Sequence, residues 1–340
     1  MSPSESARIV LVTGTDTVPP EARKIIEDRG FKLRHIPTED LDRDQLHRAL
    51  AGVSGYLIGG NEKPLDEHFE QAEELEVVAW VGTDFRANVP GWERAFDLGI
   101  AFVSTPGENA ASVAEFTLLL ILGIARPFTA QSATKETGNR AGAETRDSSP
   151  PGIELHGQTL GIVGAGRIGT RVARAAALGL GMQVLYAAPR RNEALEAALG
   201  IKYVKLAELL KESKVVSLHR PGLAAGERPT IGEAELELLR TGALLVNTAH
   251  PSLIDPDALL GAVEQRGLRA AVDGIGKEPA WTHLVALGPD RFLCAPDMGY
   301  RTPAAGLRAG ERAARAVCDV LSGEDSASVN NPDFRERRAR

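Results

Sequence analysis

Three glycines at fixed spacing carry the first chemical signal in this chain. In Thr159-Leu-Gly-Ile-Val-Gly-Ala-Gly-Arg-Ile-Gly169 the apolar run Leu160–Val163 reads as a buried strand. It runs directly into Gly164-x-Gly166-x-x-Gly169. The first glycine suits a tight turn, the second admits close backbone approach to a pyrophosphate, and the third lets a helix pack on the strand. Helical apolar spacing from Arg171 to Leu178 then places free N–H groups and a positive dipole end behind the turn. A second strand, Met182–Tyr186, follows in order, which lifts the pattern above a bare glycine turn. The chemistry is dinucleotide binding, with Gly164, Gly166, Arg167, Ile168 and Gly169 at the cofactor.

The type of dinucleotide is read further along. An acidic residue about 20 positions past such a fingerprint normally receives the ribose hydroxyls and repels a 2′-phosphate. Here Ala187 and Ala188 stand in its place, and Arg190 and Arg191 follow. A missing negative charge and two guanidinium groups suit a phosphate, so NADP is expected in preference to NAD. The plainer alternative is that both arginines are solvated loop charges.

These residues need elements to hold them. A chain of 340 residues is long enough for two domains, each with its own core. Net charge of −7 leaves no basic footprint for nucleic acid, and Phe116–Ala125, the longest apolar stretch, is too short to span a bilayer. Residues Met1–Ala7 are polar and small, unlike a signal segment, and Cys294 and Cys318 form neither metal spacing nor a disulfide framework. A soluble, cytoplasmic protein is expected, without membrane or nucleic-acid partners.

Strand and helix signals alternate through the first hundred residues. Strands are expected at Ile9–Thr13, Phe31–Ile36, Gly55–Ile58, Val77–Val81 and Ile100–Val103. Helices are expected at Pro19–Arg29, Asp42–Leu50, Leu65–Leu75 and Trp92–Leu98. A long helix covers about Ala110–Arg126, and the polar stretch Thr129–Pro151 reads as an exposed loop or flap. Further strands are expected near Tyr203 and at Val215–Leu218, Ala243–Asn247, Ala270–Val272 and Phe292–Leu293, before a last helix, Ala304–Leu321. Alternation of this kind predicts an α/β protein with two Rossmann-like, doubly wound domains, the dinucleotide domain lying centrally.

Several of these segments together resemble the D-isomer-specific 2-hydroxyacid dehydrogenase family, over nearly the whole chain. The stretches are Thr105-Pro-Gly-Glu-Asn-Ala-Ala-Ser-Val-Ala-Glu115 with Arg126, Leu155 to Gly169, Val215 to Pro221, Gly242 to Ala249, and Val329-Asn-Asn-Pro332. The resemblance implies a flavodoxin-like substrate domain from both termini (1–104 and 303–340) and a Rossmann domain between them (105–302). It also implies a cleft where they meet, a small-molecule substrate, and homodimers formed through the Rossmann domain.

The same resemblance locates the chemistry. Reduction of a 2-oxo acid needs a cation for the carboxylate, an acid for the new alkoxide and a carboxylate to orient that acid. The family supplies arginine, histidine and glutamate. In Asn247-Thr-Ala-His250-Pro-Ser-Leu-Ile-Asp255 the arginine position holds His250. In Asp273-Gly-Ile-Gly-Lys-Glu278-Pro279 the glutamate is kept as Glu278, whereas Ala295-Pro-Asp297 puts aspartate at the histidine position. Histidine lacks arginine's bidentate fork, and aspartate ordinarily ionises near pH ~4, so it is a poor proton donor.

Three readings follow. In one, His250 is the acid, held by Asp297 or Glu278, and Arg301 or Arg220 holds the substrate. In another, the substrate is a carbonyl or imine without a carboxylate. In the third, catalysis is lost and the protein is a nucleotide-binding sensor or partner. The retained histidine and Glu278 favour redox catalysis, with the bland alternative that His250 and Asp297 only fill vacated space. Val81-Gly82-Thr83-Asp84 resembles the family's substrate-binding glycine loop, beside Trp80, which reads as a core aromatic. Asp273 matches the contact to the nicotinamide carboxamide, and His219 and Thr248 join the cofactor set. His35, His47, His68, His156 and His283 are scattered, and no metal site can be assembled.

Overall fold

Short β-branched and apolar runs, buried on both faces in the central strands, become the strands of two separate parallel sheets. The computed structural model describes residues 8–83, 85–86, 88–126, 152–223 and 226–339. The expected flap at Thr129–Pro151, and Asp84 of the glycine loop, lie outside them. The chain divides into one unit of residues 1–109 with 301–340 and another of residues 110–300.

The first unit carries β1 (Ile9–Thr13), β2 (Lys32–Ile36), β3 (Gly55–Ile58), β4 (Val77–Trp80) and β5 (Ala101–Ser104) in the order β2-β1-β3-β4-β5. All four pairings are parallel. Alternate strand residues feed opposite cores. Val10, Val12, Leu57 and Ala79 meet α1 (Pro20–Asp28) and the later helix Pro303–Leu321, while Leu11, Tyr56, Val78 and Phe102 form the other layer. Local signals set the helix starts: α2 (Arg43–Leu50) begins with a capping box in which Asp42 accepts the Gln45 amide at 2.8 Å. The expected helix at Leu65–Leu75 is shorter, α3 (Asp66–Gln71), because Ala72 leaves helical geometry at ψ 66°. α4 (Trp92–Asp97) completes this layer.

Edge strand β5 is closed by the C-terminal tail. Asn331 accepts the Phe102 amide and donates to the Ile100 carbonyl, each at 2.8 Å, and the Asn330 amide donates to Phe102 O at 2.8 Å. The tail thereby satisfies an edge that would otherwise present unpaired backbone groups.

The second unit opens with α5 (Ala110–Ala125) and holds a seven-stranded parallel sheet. Its strands are β6 (Thr159–Val163), β7 (Gln183–Ala187), β8 (Lys202–Tyr203), β9 (Val215–Leu218), β10 (Leu244–Asn247), β11 (Arg269–Asp273) and β12 (Phe292–Ala295). The spatial order β12-β11-β10-β9-β6-β7-β8 is a doubly wound dinucleotide-binding order extended by one strand, and it reverses direction between β6 and β9. Helix α6 (Arg167–Gly179) follows β6 directly, and α7 (Glu193–Leu199) follows β7. Because every strand is parallel, the loops after β6, β7, β9, β10, β11 and β12 leave from one edge of the sheet.

Candidate active site and nucleotide-binding loop

The glycine turn has the geometry its spacing predicts. Gly164 sits at φ +100°, and a Cβ there would stand 2.5 Å from the His219 carbonyl oxygen. A Cβ on Gly169 would meet Gly164 O at 2.1 Å, which is the close helix–strand approach expected of the third glycine. At Gly166, by contrast, a Cβ would meet nothing within 4 Å. That opening lies at the N-terminus of α6, where no side chain caps the helix. The amides of Arg167, Ile168 and Gly169 therefore face an open cradle suited to a pyrophosphate.

The loop after β7 splits the two arginines. Arg191 Nε and Nη2 donate to the Glu196 carboxylate at 2.9 and 2.8 Å, a bidentate pair. The Tyr186 hydroxyl donates to the same carboxylate at 2.9 Å and accepts the Asn192 amide at 2.7 Å. Hydrogen bonds from Arg191 and Tyr186 hold the Glu196 carboxyl below its usual range. Arg191 thus braces the loop, whereas Arg190, the other arginine expected at a phosphate, is exposed and has no hydrogen bond or ion pair among the described residues. Glu196, five residues past Arg191, carried no signal in the pattern of a missing acid.

Around the rest of the cofactor edge several side chains are already engaged. Thr117 donates to Val113 O at 2.7 Å, so the Thr248 hydroxyl, 2.7 Å away, donates to Thr117 Oγ1. That hydroxyl's hydrogen is therefore committed to α5, and its oxygen keeps only acceptor capacity. His219 Nε2 lies 2.9 Å from Ser217 Oγ, and burial pushes the imidazole down to about 3. His219 is consequently a neutral ring. Asp273 is buried, and its two oxygens accept the Met298 and Gly299 amides at 2.8 and 2.7 Å.

The three positions read as catalytic, two of them substituted, follow three neighbouring strands. His250 follows β10, Glu278 follows β11, and Asp297 follows β12. The expected partners of His250, Asp297 or Glu278, give way to Ser252. His250 Nδ1 accepts the Ser252 amide at 3.2 Å and lies 2.7 Å from Ser252 Oγ, so it caps the 3₁₀ turn Pro251–Leu253. Ser252 escapes a reading of the sequence, although proline in the first position after His250 is itself a helix-start signal. Glu278 accepts Trp281 Nε1 at 3.0 Å and folds over Gly276, where a Cβ would sit 2.1 Å from its Oε2. Asp297 has left-handed backbone geometry at φ +52°, the one non-glycine residue to do so among the described residues. Gly274, at φ +92°, faces it; a Cβ there would be 3.6 Å from Asp297 Cβ.

The two candidates for the substrate cation lie in different units and differ in their pairing. Arg220 donates to Thr230 Oγ1 at 3.0 Å and to Glu227 at 3.2 Å, so its charge is already answered. Arg301 is exposed and belongs to the first unit, as do Val81 and Gly82. There the Gly82 amide donates to Trp80 O, and its carbonyl accepts the Thr105 amide, both at 2.9 Å. A Cβ on Gly82 would stand 2.6 Å from Trp80 Nε1. Trp80, read as a core aromatic, is half-buried against its layer and also roofs this glycine. Among the described residues, no group of three His, Cys, Asp or Glu could hold a metal, and no helix is long and apolar enough to cross a membrane.

A doubly wound parallel sheet with a glycine cradle at its switch point defines a dinucleotide-binding Rossmann protein. Residues 118–299 match the family described as D-isomer specific 2-hydroxyacid dehydrogenase, NAD binding domain. The chain belongs to that family. It is 31% identical over 326 residues to D-3-phosphoglycerate dehydrogenase of Methanocaldococcus jannaschii, covering 95% of this chain and 60% of that protein. It is 34% identical over 264 residues to glyoxylate reductase of Aeropyrum pernix, covering 77% of this chain and 78% of that one. The solved structure of TT0316 protein from Thermus thermophilus superimposes with a TM-score of 0.80 at 30% identity, over 94% of this chain and 99% of that one. The chain therefore spans about 60% of the length of the matched phosphoglycerate dehydrogenase.

Proposed function

We propose that the protein is an NAD(P)H-dependent oxidoreductase that reduces a small carbonyl compound, a 2-oxo acid or an altered substrate, with His250 as the acid/base-capable group at the carbonyl oxygen. One observation carries the reading: His250, Glu278 and Asp297 leave the same sheet edge as the Gly164–Gly169 cradle. The nicotinamide supplies the hydride when bound. The cradle amides take its pyrophosphate, and Asp273, with lone pairs left on both oxygens, takes its carboxamide.

NADP is the proposed preference over NAD. Its support is the uncharged Ala187–Ala188 pair beside exposed Arg190, with Arg191 held by Glu196. A homodimer is also proposed, because α5 turns Leu119 and Leu122 outward, 53% and 42% exposed. Free thiols on Cys294 and Cys318 suit a reducing, cytoplasmic setting.

A substrate without a carboxylate is the second reading, favoured by the pairing of Arg220 with Glu227. The test is NADPH oxidation with glyoxylate, hydroxypyruvate, simple aldehydes and cyclic imines, with cofactor binding followed by fluorescence. Turnover of the 2-oxo acids supports the first reading, and turnover of aldehydes or imines alone supports the second. Tight cofactor binding with no turnover across the panel would overturn both in favour of a nucleotide sensor.

A further inference from the structure

We infer that Ser252 is a positioning residue that presents His250 to the substrate as a neutral imidazole with its one ring hydrogen on Nε2. The inference rests on the proposed place of His250 at the reacting carbonyl.

The hydrogen-bond geometry determines the tautomer. His250 Nδ1 accepts the Ser252 backbone hydrogen at 3.2 Å, so that nitrogen carries no hydrogen of its own. The Ser252 hydroxyl is 2.7 Å from the same nitrogen and must then donate to it, because two lone pairs would otherwise face each other. The oxygen's own lone pairs remain for the Leu223 amide, 3.5 Å away. The ring hydrogen is left to Nε2.

The ring's orientation is fixed as well. A Cβ on Gly222 would stand 3.2 Å from His250 Cγ and 3.5 Å from Nδ1, so the imidazole lies against backbone that only glycine leaves bare. Beneath it, Asn247 Nδ2 donates to the His250 carbonyl at 2.8 Å while Asn247 Oδ1 accepts the Ala249 amide at 3.0 Å. Nε2 finds no partner among the described residues, and His250 is exposed.

This arrangement changes what the position can do. Arginine would offer two parallel donors and a permanent charge to a carboxylate. His250 offers one directional N–H and no charge, which matches one oxygen. That oxygen is the carbonyl oxygen, which becomes negative as its carbon gains hydride from the cofactor and the π pair moves onto it. In this tautomer the acid/base role proposed for His250 narrows to hydrogen bonding: the ring stabilises the developing charge and keeps its own hydrogen. A solvent water supplies the proton that completes the alcohol and leaves as hydroxide.

The experiment labels the histidines of the full chain with ¹⁵N and reads the ring nitrogens of His250, assigned by their loss in His250→Gln. In the unaltered protein Nε2 is expected to be protonated and Nδ1 bare. In Ser252→Ala a fraction with the hydrogen on Nδ1 should appear. NADPH-dependent reduction of glyoxylate or hydroxypyruvate should then fall in kcat by roughly tenfold or more, with KM little changed. Ser252→Thr, which keeps a hydroxyl, should restore both readouts. A hydrogen on Nδ1 in the unaltered protein overturns the inference, as does Ser252→Ala with both readouts unchanged. Full turnover by His250→Ala, with the expected tautomer intact, would instead overturn the placement of His250 at the carbonyl.

Discussion

Asp273 Oδ2 accepts the Gly299 amide at 2.7 Å while Oδ1 accepts the Met298 amide at 2.8 Å, so one buried carboxylate anchors the turn after β12. The residue read as a nicotinamide contact is thus also the residue that binds the two amides following Asp297. A Cβ on Gly299 would stand 2.8 Å from Oδ2, which explains why that amide can come so close. Asp273→Asn keeps the shape but turns a donor toward one of the two amides. A loss of about 1–3 kcal/mol is expected in urea unfolding, with faster amide exchange at Met298 and Gly299. Unchanged exchange at both amides would refute the anchoring role.

Asp297 holds an unfavourable backbone conformation at a position proposed for function. Asp297→Gly removes the Cβ conflict at φ +52° and should stabilise the protein by up to about 1 kcal/mol. Turnover should fall in the same variant, a stability–activity exchange visible when thermal melts are set beside steady-state rates. Asp297→Gly with reduced stability and full activity would point to a purely structural carboxylate.

The divided arginine pair makes single variants more informative than a double one. Arg190→Ala should raise the NADPH dissociation constant roughly tenfold to a hundredfold, the worth of one charge-assisted bond, and leave NADH nearly unchanged. Arg191→Ala should weaken both cofactors to a similar, smaller degree, since it loosens the loop. Glu196→Gln lowers the negative charge facing Arg191 and should tighten NADPH specifically. Fluorescence titration with both cofactors decides this, and equal changes for NADPH and NADH in Arg190→Ala would sink the proposed phosphate contact.

His219 makes the fold sensitive to acid. Burial lowers its value from 6.5 to about 3 in the folded state. Between those values the unfolded chain binds a proton that the folded chain excludes, so stability is full above about 6.5 and declines as pH falls toward about 3. The slope from this one group is at most about 1.4 kcal/mol per pH unit. Urea midpoints at pH ~7 and pH ~5 should drift apart less in His219→Gln than in the unaltered protein. An identical acid loss in both would assign the sensitivity to other groups.

The C-terminal tail supplies a stability test away from the site. Asn331 is 3% exposed and serves the Phe102 amide and the Ile100 carbonyl together. Asn331→Ala leaves both buried groups unpaired and should cost roughly 2–4 kcal/mol in urea unfolding, with cofactor binding to the second unit retained. A cost below about 0.5 kcal/mol would mean that water replaces the side chain readily.

What the sequence determined by itself was local. Apolar β-branched runs, proline and capping residues at helix starts, and three glycines at fixed spacing each act over a few residues. They mark both sheets and the phosphate cradle without any knowledge of distant contacts. The resemblance likewise located His250, Glu278 and Asp297, but only as positions. Tertiary structure decided which partners the polar side chains take: Arg191 turns to Glu196, Arg220 to Glu227, and His250 to Ser252. Phe102 finds Asn331 across 229 residues of sequence. A hydrogen bond depends on direction to within a few tens of degrees and a few tenths of an ångström. Periodicity and spacing fix which face a residue occupies and carry no information at that precision. Whether an arginine is free for a phosphate, or a histidine presents Nε2, is settled only once the loops around it have closed.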